Sequence, residues 1–488
     1  MMTKKGENSY SNILKRLSAF GGVQIFNILI GLIRGKFVAM FLGPVGMGIS
    51  SLYTSSTAPL QQICGLGLNL AVVKEIAADK KDPGRLRKTI TVVLRLLLFT
   101  SLLGAFVCGA AAPLWSKITF GDFSHTVSYI FLSVFMALSI GGAGLLAILQ
   151  GLGEVKRLAK ASLVGGLAGL CFGVPLYYFF YDRGIVPAMI ILAFSTFLFY
   201  YISYRKSKKS FPSSPSDLAV SREERKSLTK KLLSIGFILL IGTLIGQLVS
   251  YAINLFVRMA GSIDDVGLFQ GANSITNQYV GLIISALALD YFPRLSSCAK
   301  DNDKMREVVN RQIEIVMLVA TPLIILLIIS APLIIRILLT DSFLVIIPLM
   351  RWMGLGMIIQ LLGFPIGYIY IAKDDRKAYI WLECIWTNIC WILCSIGFYY
   401  LLGLVGLGVS LVVRASIDII INLWVCHRRY KLLPDGGAVR IIFFSILLCA
   451  TAFIASFLKD SLAYSIMGLL LCLSLVYSFF MLKNKVSS

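Results

Sequence analysis

Long apolar runs separated by short polar stretches dominate this chain. A helix needs about 20 predominantly apolar residues to cross a bilayer, and about 14 segments meet that length. They are residues 17–41, 44–73, 89–112, 126–150, 161–181, 184–204, 232–257, 266–292, 312–336, 343–372, 379–402, 404–426, 440–458 and 462–482. The pattern predicts an all-α polytopic membrane protein.

The polar stretches alternate in charge along the chain. Lys4 to Arg16, Lys74 to Lys88, Lys156 to Lys160, Arg205 to Lys231, Arg294 to Arg311, Lys373 to Lys377, Arg428 to Arg440 and Lys483 to Lys485 hold about 36 of the 46 Lys and Arg. The intervening loops keep few, such as Lys117, Arg183 and Lys459. Cytoplasmic loops are the ones enriched in Lys and Arg. Both termini and the 205–231 stretch are therefore expected in the cytoplasm.

Composition agrees: of 488 residues, 57% are hydrophobic and 14% charged, against about 25% charged in soluble proteins. The formal charge of +22 reads as a topology signal, and no nucleic-acid partner is expected. The first apolar segment is too long for a cleavable signal and reads as a first span. Ten cysteines form no CxxC and lie mostly in apolar segments, where inert core thiols are expected. His125 and His427 are far apart in sequence, so no metal site and no cofactor are expected.

A weak internal repeat runs through the chain. Gly46 and Gly267, each after a valine, share an offset of 221 with Glu154 and Asp375 and with Lys156 and Lys377. Ala112-Pro113 and Asp122 match Ala331-Pro332 and Asp341 at an offset of 219. Both halves start on the same side, so the repeat is parallel. The expected organisation is a six-helix lobe at 1–204, a basic cytoplasmic linker at 205–231, a second six-helix lobe at 232–431 and two additional spans at 432–488. Within the linker, Phe211-Pro-Ser-Ser-Pro-Ser216 cannot continue a helix. Ser221 and Glu224 form a capping box that starts a basic amphipathic helix leading into span 7. Gly165, Gly169 and Gly173 form overlapping GxxxG steps suited to close helix approach.

Polar side chains recur at helical spacing inside the apolar runs. Span 1 carries Gln24, Asn27, Gly31 and Arg34 on one face, with Lys36 beside them. Span 7 carries Gln247, Tyr251, Asn254 and Arg258 in the equivalent place. Span 8 adds Gln270, Asn273 and Asn277. Arg95 and Arg351 lie about two turns into spans 3 and 10. A charge at the bilayer centre costs roughly 2.5–3.5 kcal/mol on insertion scales and marks a cavity or pathway. One reading is a basic, polar cavity for an anionic cargo. The other is interhelical hydrogen bonding with arginines snorkelling to the headgroups. Arg414 and Asp418 can pair on one helical face, either as charge neutralisation or as a protonatable switch for ion coupling. Asp290, near Arg294, is a further coupling candidate. Glu383, near Arg376 and Lys377, reads as structural.

Several short motifs carry a family resemblance. Ser18-Ala-Phe-Gly-Gly22, Gln24, Arg34-Gly-Lys36, Leu42-Gly-Pro-Val-Gly46 and Gly65-Leu-Gly-Leu68 resemble the opening of Wzx-type polysaccharide flippases, the O-antigen and capsule translocases. Phe292-Pro-Arg-Leu-Ser296 resembles the start of the inner loop in their second repeat. These belong to the multidrug/oligosaccharidyl-lipid/polysaccharide exporter superfamily. The resemblance implies a MATE-like V of two six-helix lobes plus two C-terminal helices, working by alternating access in the bacterial inner membrane. It implies an undecaprenyl-pyrophosphate-linked oligosaccharide as cargo, moved from inner to outer leaflet. Arg and Lys suit a pyrophosphate, and Gln, Asn and Tyr suit sugar hydroxyls. Membrane lipids and a polysaccharide polymerase or chain-length regulator are the implied partners.

Two other classes compete. Cation-coupled multidrug exporters share the fold, but usually carry a carboxylate in the first or seventh span; spans 1 and 7 here have none. A membrane-embedded polymerase or ligase usually needs a sizeable outer loop with catalytic groups, and these loops are short. The pattern GxxxxGK[ST] is absent, so ATP hydrolysis by this chain is not expected.

Overall fold

Lipid offers no partner to backbone N–H and C=O groups, so a crossing segment closes its hydrogen bonds within itself. The computed structural model of the chain follows that constraint: among the described residues every regular element is helical. The structure describes the backbone at 3–80, 82–208 and 221–486; side chains at 3–25, 208, 235, 238–239, 279–280, 282–283, 285–290, 460 and 484–486 are outside the description.

Helix α1 spans Thr3–Gly65 and bends at Gly43, whose φ of 63° precedes Pro44. Only glycine takes that backbone readily, and Pro44 cannot donate the hydrogen bond that would bridge the bend. The Leu42-Gly-Pro-Val-Gly46 motif thus has a structural job: it divides the first two apolar runs. Leu66 and Gly67, both at positive φ, separate α1 from α2 (Leu68–Asp79). Then follow α3 (Pro83–Ala110), a short α4 (Ala112–Phe120), α5 (Thr126–Gly151), α6 (Val155–Phe180), α7 (Ile185–Lys208) and α8 (Arg222–Ala260). The remaining elements are α9 (Ile263–Ser297), α10 (Asn302–Leu338), a 3-10 turn at Asp341–Ile346, α11 (Ile347–Ala372), α12 (Arg376–Tyr379), a π-helix at Ile380–Trp386, α13 (Thr387–Leu402), α14 (Leu404–Tyr430), α15 (Gly436–Ala455) and α16 (Asp460–Val486).

Helices start outside the apolar runs because caps set their ends. Asp82 accepts from Gly84 N and Arg85 N at 3.0 and 3.1 Å. Ser262 caps α9, Asp301 caps α10 and Asp435 caps α15. The capping box at α8 forms in both directions: Glu224 N donates to Ser221 Oγ at 3.1 Å, and Ser221 N to Glu224 Oε2 at 3.3 Å.

Eleven segments among the described residues are long and apolar enough to cross a membrane. Phe26–Gly65, with 40 residues, contains the Gly43 bend, and Val155–Ser207, with 53, contains the 3-10 turn at Tyr181–Gly184. Helix α9 is not among the eleven; many of its side chains lie outside the description.

The chain divides into two compact units, Met1–Arg258 and Met259–Ser488. Helix α8 groups with the first unit; residues 209–220, including Phe211 to Ser216, lie outside the described residues. Helices α15 and α16 belong to the second unit. Arg351 Nη1 of α11 donates to Ser456 O at the end of α15 (2.9 Å), and Ser478 Oγ of α16 donates to Leu318 O of α10 (2.7 Å).

In the first unit, Leu68, Ile76, Leu86, Val93, Ile148 and Leu232 form one buried cluster that joins α2, α3, α5 and α8. Glycines bring α6 and α7 together: a Cβ at Gly165 would sit 2.9 Å from Thr196 Cα, whereas at Gly173 it would meet Ala188 Cβ at 3.6 Å. Gly165→Val is therefore expected to destabilise the detergent-solubilised protein by about 1–3 kcal/mol, while Gly173→Ala should leave its melting temperature nearly unchanged. Equal melting temperatures for the two variants would show that the α6–α7 approach is looser.

In both units a carboxylate in a turn meets the end of a later helix. Ser207 Oγ at the end of α7 lies 3.4 Å from Glu154 Oε1. In the second unit, Arg429 Nη1 and Tyr430 Oη at the end of α14 donate to Asp375 Oδ2 at 2.6 and 2.7 Å. Pro113 starts α4, whereas Pro332 stays inside α10.

The Ala378 N–H, followed by the Tyr430 hydroxyl and Arg429, holds the Asp375 carboxyl below its usual value of 3.8. The resulting stabilisation is complete above the unfolded carboxylate range and is lost as pH falls through the folded pKa. With Arg429 half exposed, Asp375→Asn should cost about 1 kcal/mol at pH 7. The difference from wild type should be smaller at pH 3 than at pH 7. Melting curves at the two pH values check this; a difference that grows on acidification would contradict it.

Candidate functional site

The face predicted on span 1 opens onto a cavity of 390 Å³ inside the first unit. Asn27, Gly31 and Arg34 of α1 line it, with Phe135 and Ser139 from α5, Ser162 and Gly166 from α6, and Thr196 and Tyr200 from α7. Asn27 Oδ1 accepts from Ser162 Oγ at 3.0 Å, which fixes the amide at the cavity wall. Among the described residues Arg34 is the one cation of the lining, where four hydroxyls and one amide share the wall with Ile30, Phe135, Leu170, Leu192 and Ala193. A guanidinium offers donors in a planar fork that matches phosphate, and hydroxyls both give and accept hydrogen bonds. The chemistry suits an anion attached to a polyhydroxylated group. Lys36, half-buried, is not part of this lining.

The hydroxyls of Ser139, Ser162, Thr196 and Tyr200 carry no signal in the sequence pattern. Single Ser, Thr or Tyr residues scattered in apolar helices carry no periodic signal, and only the folded arrangement brings four of them together.

The stripe on α8 does a different job. Arg258 Nε donates to Thr119 O at the end of α4 (3.0 Å), and a Cβ at Gly121 would approach the guanidinium to 3.0 Å. Gly121, at φ 90°, therefore serves two needs: the left-handed turn after α4 and the space for Arg258. Tyr251 Oη and Thr119 Oγ1 are 2.8 Å apart, and Tyr129 Oη donates to the same Thr119 Oγ1 at 3.0 Å. Asn254 Nδ2 donates to Ser51 Oγ at 3.4 Å. Gln247 is half-buried. The α8 stripe thus forms a hydrogen-bonded seam with α1, α4 and α5. Arg258 does not line the Arg34 cavity. Arg258 instead stands apart from Arg34, with its guanidinium held at the Thr119 carbonyl.

The other candidates separate. Asn277 Nδ2 donates to Asn273 Oδ1 at 2.8 Å along α9, and Gln270 is half-buried one turn earlier. Arg351 is engaged with Ser456 O, as described. Arg95 is exposed and lines a separate groove. The side chains of Gln24 and Asp290 lie outside the described residues.

In the second unit, Arg414 Nη1 stands 3.8 Å from Asp418 Oδ2 and its guanidinium lies 5.5 Å from the Trp391 ring centre. Arg414 is only 8% exposed. Arg414 Nε and Asp418 Oδ1 have no hydrogen-bond partner among the described residues. Glu383 sits on the π-helix and faces α11, where a Cβ on Gly367 would come within 3.1 Å of its Oε1. It lies within electrostatic reach of Asp418. Single π turns inside α-helices occur often at functional sites, a feature that an apolar run does not disclose.

Among known proteins, a family model described as polysaccharide biosynthesis protein matches residues 37–348. The chain belongs to this family.

The chain shares 26% identity over 373 residues with a lipid III flippase of Escherichia coli (strain K12), covering 72% of this chain and 83% of the relative. Its fold matches a solved lipid II flippase MurJ in an inward closed conformation, with a TM-score of 0.66 at 14% identity, over 97% of this chain and 100% of that one. It also matches an inward-facing MATE family multidrug resistance transporter of the MOP superfamily, with a TM-score of 0.67 at 17% identity, over 83% and 94% of the two chains. The protein is a multi-pass membrane protein of that all-helical fold.

Proposed function

We propose that this protein is a flippase for a lipid-linked oligosaccharide, carrying an undecaprenyl-pyrophosphate-linked glycan from the inner to the outer leaflet of the bacterial inner membrane. The observation that carries the reading is Arg34 in a hydroxyl-lined cavity between membrane helices. The relative named a lipid III flippase supports the same class of cargo. In this reading Arg34 engages the pyrophosphate, while Asn27, Ser162, Thr196 and Tyr200 meet polar groups beside it. The lipid tail stays in hydrocarbon. No bond of the cargo is made or broken, so the protein acts as a transporter and not as an enzyme.

Transport by alternating access needs a contact that forms in one state and releases in another. The seam of Arg258, Tyr251 and Thr119 is suited to that role, since each bond is local and costs little to exchange with water or cargo. Arg414, Asp418 and Glu383 are the groups placed to couple ion or proton binding to the change. In our reading the chain crosses the membrane fourteen times, with the Gly43 bend and the Tyr181–Gly184 turn each separating two crossings. Its six-helix halves are related by the repeat. A polymerase or chain-length regulator would receive the product at the outer face.

The orientation has its own test. With reactive native thiols removed, Ser213→Cys should resist an impermeant maleimide in intact cells and react after permeabilisation. Labelling in intact cells would invert the topology and, with it, the direction of transport. Cargo class is tested by supplying polyprenyl-pyrophosphate oligosaccharide or a cationic dye to proteoliposomes. Movement of the glycan lipid alone is expected; movement of the dye alone would favour a drug exporter.

A further inference from the structure

A second recess in the first unit, of 1340 Å³, shares no residue with the Arg34 cavity. It lies between α3, the end of α1 and the start of α8. Among the described residues five cations line it, Arg95, Arg222, Arg225, Lys226 and Lys230, and no carboxylate does. Its remaining wall is mostly apolar and includes Phe99 and Phe237, which are 59% and 62% exposed.

The arrangement follows from how α8 docks. Gly236 lies against Leu66 and Gly67 so closely that a Cβ at either glycine would overlap the facing backbone. Glu224 pairs with Lys88 at 3.0 Å, and Lys231 pairs with Glu75 at 2.6 Å. These pairs tie α8 to α3 and α2, and Leu232 is fully buried in the core. The opposite stripe of α8 is left to the recess. Arg222, Arg225, Lys226 and Lys230 occupy its first turns, and Leu233, Phe237 and Leu240 continue the same stripe. At 1.5 Å per residue the stripe from 225 to 240 is about 22 Å long, enough for a headgroup and most of one leaflet of a hydrocarbon core about 30 Å thick. Arg95 faces the recess from within the apolar helix α3. A cation at that depth is costly unless an anion or water meets it.

We propose that this recess is a binding site for an anionic phospholipid of the surrounding membrane, with its phosphate among Arg95 and the α8 cations and an acyl chain along Phe99, Phe237 and Leu240. Charge complementarity selects the headgroup, and the apolar half of the stripe selects a lipid over a soluble phosphate. The site is separate from the transport cavity and stands whether or not the cargo assignment is correct. The lipid would fix α8, whose far end carries the Arg258 seam, to α3.

The test is native mass spectrometry of the full-length protein in mild detergent, titrated with phosphatidylglycerol or with phosphatidylcholine of the same chains. Phosphatidylglycerol adducts should be retained at least about tenfold more tightly, and millimolar glycerol phosphate should not displace them. The Arg95→Gln/Lys226→Gln/Lys230→Gln variant, with a wild-type melting temperature in detergent, should lose about tenfold in apparent affinity. Equal retention of the two lipids by the wild-type protein would overturn the proposal, even if the triple variant fails to fold. Displacement by glycerol phosphate would assign the cations to a soluble anion instead. Tighter retention of polyprenyl phosphate than of phosphatidylglycerol would reassign the recess to the cargo lipid.

Discussion

An Arg34→Ala variant that reaches the membrane at wild-type level should export far less polysaccharide than wild type. The lost interaction is a charge-assisted hydrogen bond worth about 1.5–3 kcal/mol, or roughly tenfold or more in affinity for the head group. Arg34→Lys keeps the charge but loses the planar fork, so it should be intermediate. Arg258→Ala provides the contrast. Its guanidinium is bonded to the Thr119 carbonyl, so its loss should loosen α8 and shift the balance of conformations without weakening head-group affinity in direct binding. The measurement is surface polysaccharide in a complemented deletion strain, together with head-group binding to the purified variants. Wild-type binding and export by a stable Arg34→Ala protein would remove the cationic-cavity mechanism.

The second large effect belongs to the Arg414–Asp418 pair. Arg414→Met leaves the Asp418 carboxylate without its cation beside Glu383. Removing one partner of a buried pair generally costs about 3–5 kcal/mol, while replacing both by apolar groups is often close to neutral. Arg414→Met should therefore lower the folded yield sharply, and Arg414→Met/Asp418→Leu should restore most of it. Export reads the role separately. If the pair couples transport, the double variant is folded and inactive. A double variant that is folded and exports normally would make the pair a device for neutralising charge in the membrane. A single variant as stable as wild type would show that water reaches the site.

How much of this was legible in the sequence differs between neighbouring helices. Lipid forces helices, so apolar length disclosed an all-helical chain, while Asp82, Ser262 and Asp435 fixed starts that hydropathy does not see. The three-and-four spacing put Asn27, Gly31 and Arg34 on one face, and the same three residues line one cavity. The same spacing on α8 produced a seam instead. Periodicity says which residues share a face; it does not say what the face meets, and Thr119, 139 residues before Arg258, decides that. Arg351 likewise meets the Ser456 carbonyl across 105 residues. The π-helix around Glu383 left no trace in an otherwise apolar run.

A flippase changes which leaflet its glycan lipid occupies. The most direct measurement reconstitutes the purified protein in proteoliposomes holding polyprenyl-pyrophosphate oligosaccharide in both leaflets, and follows the fraction that an external impermeant glycosidase can cleave. Without protein that fraction should stop near half; with wild-type protein it should approach completion, and with Arg34→Ala it should rise much more slowly. A fraction that stays near half with correctly inserted wild-type protein would contradict the account.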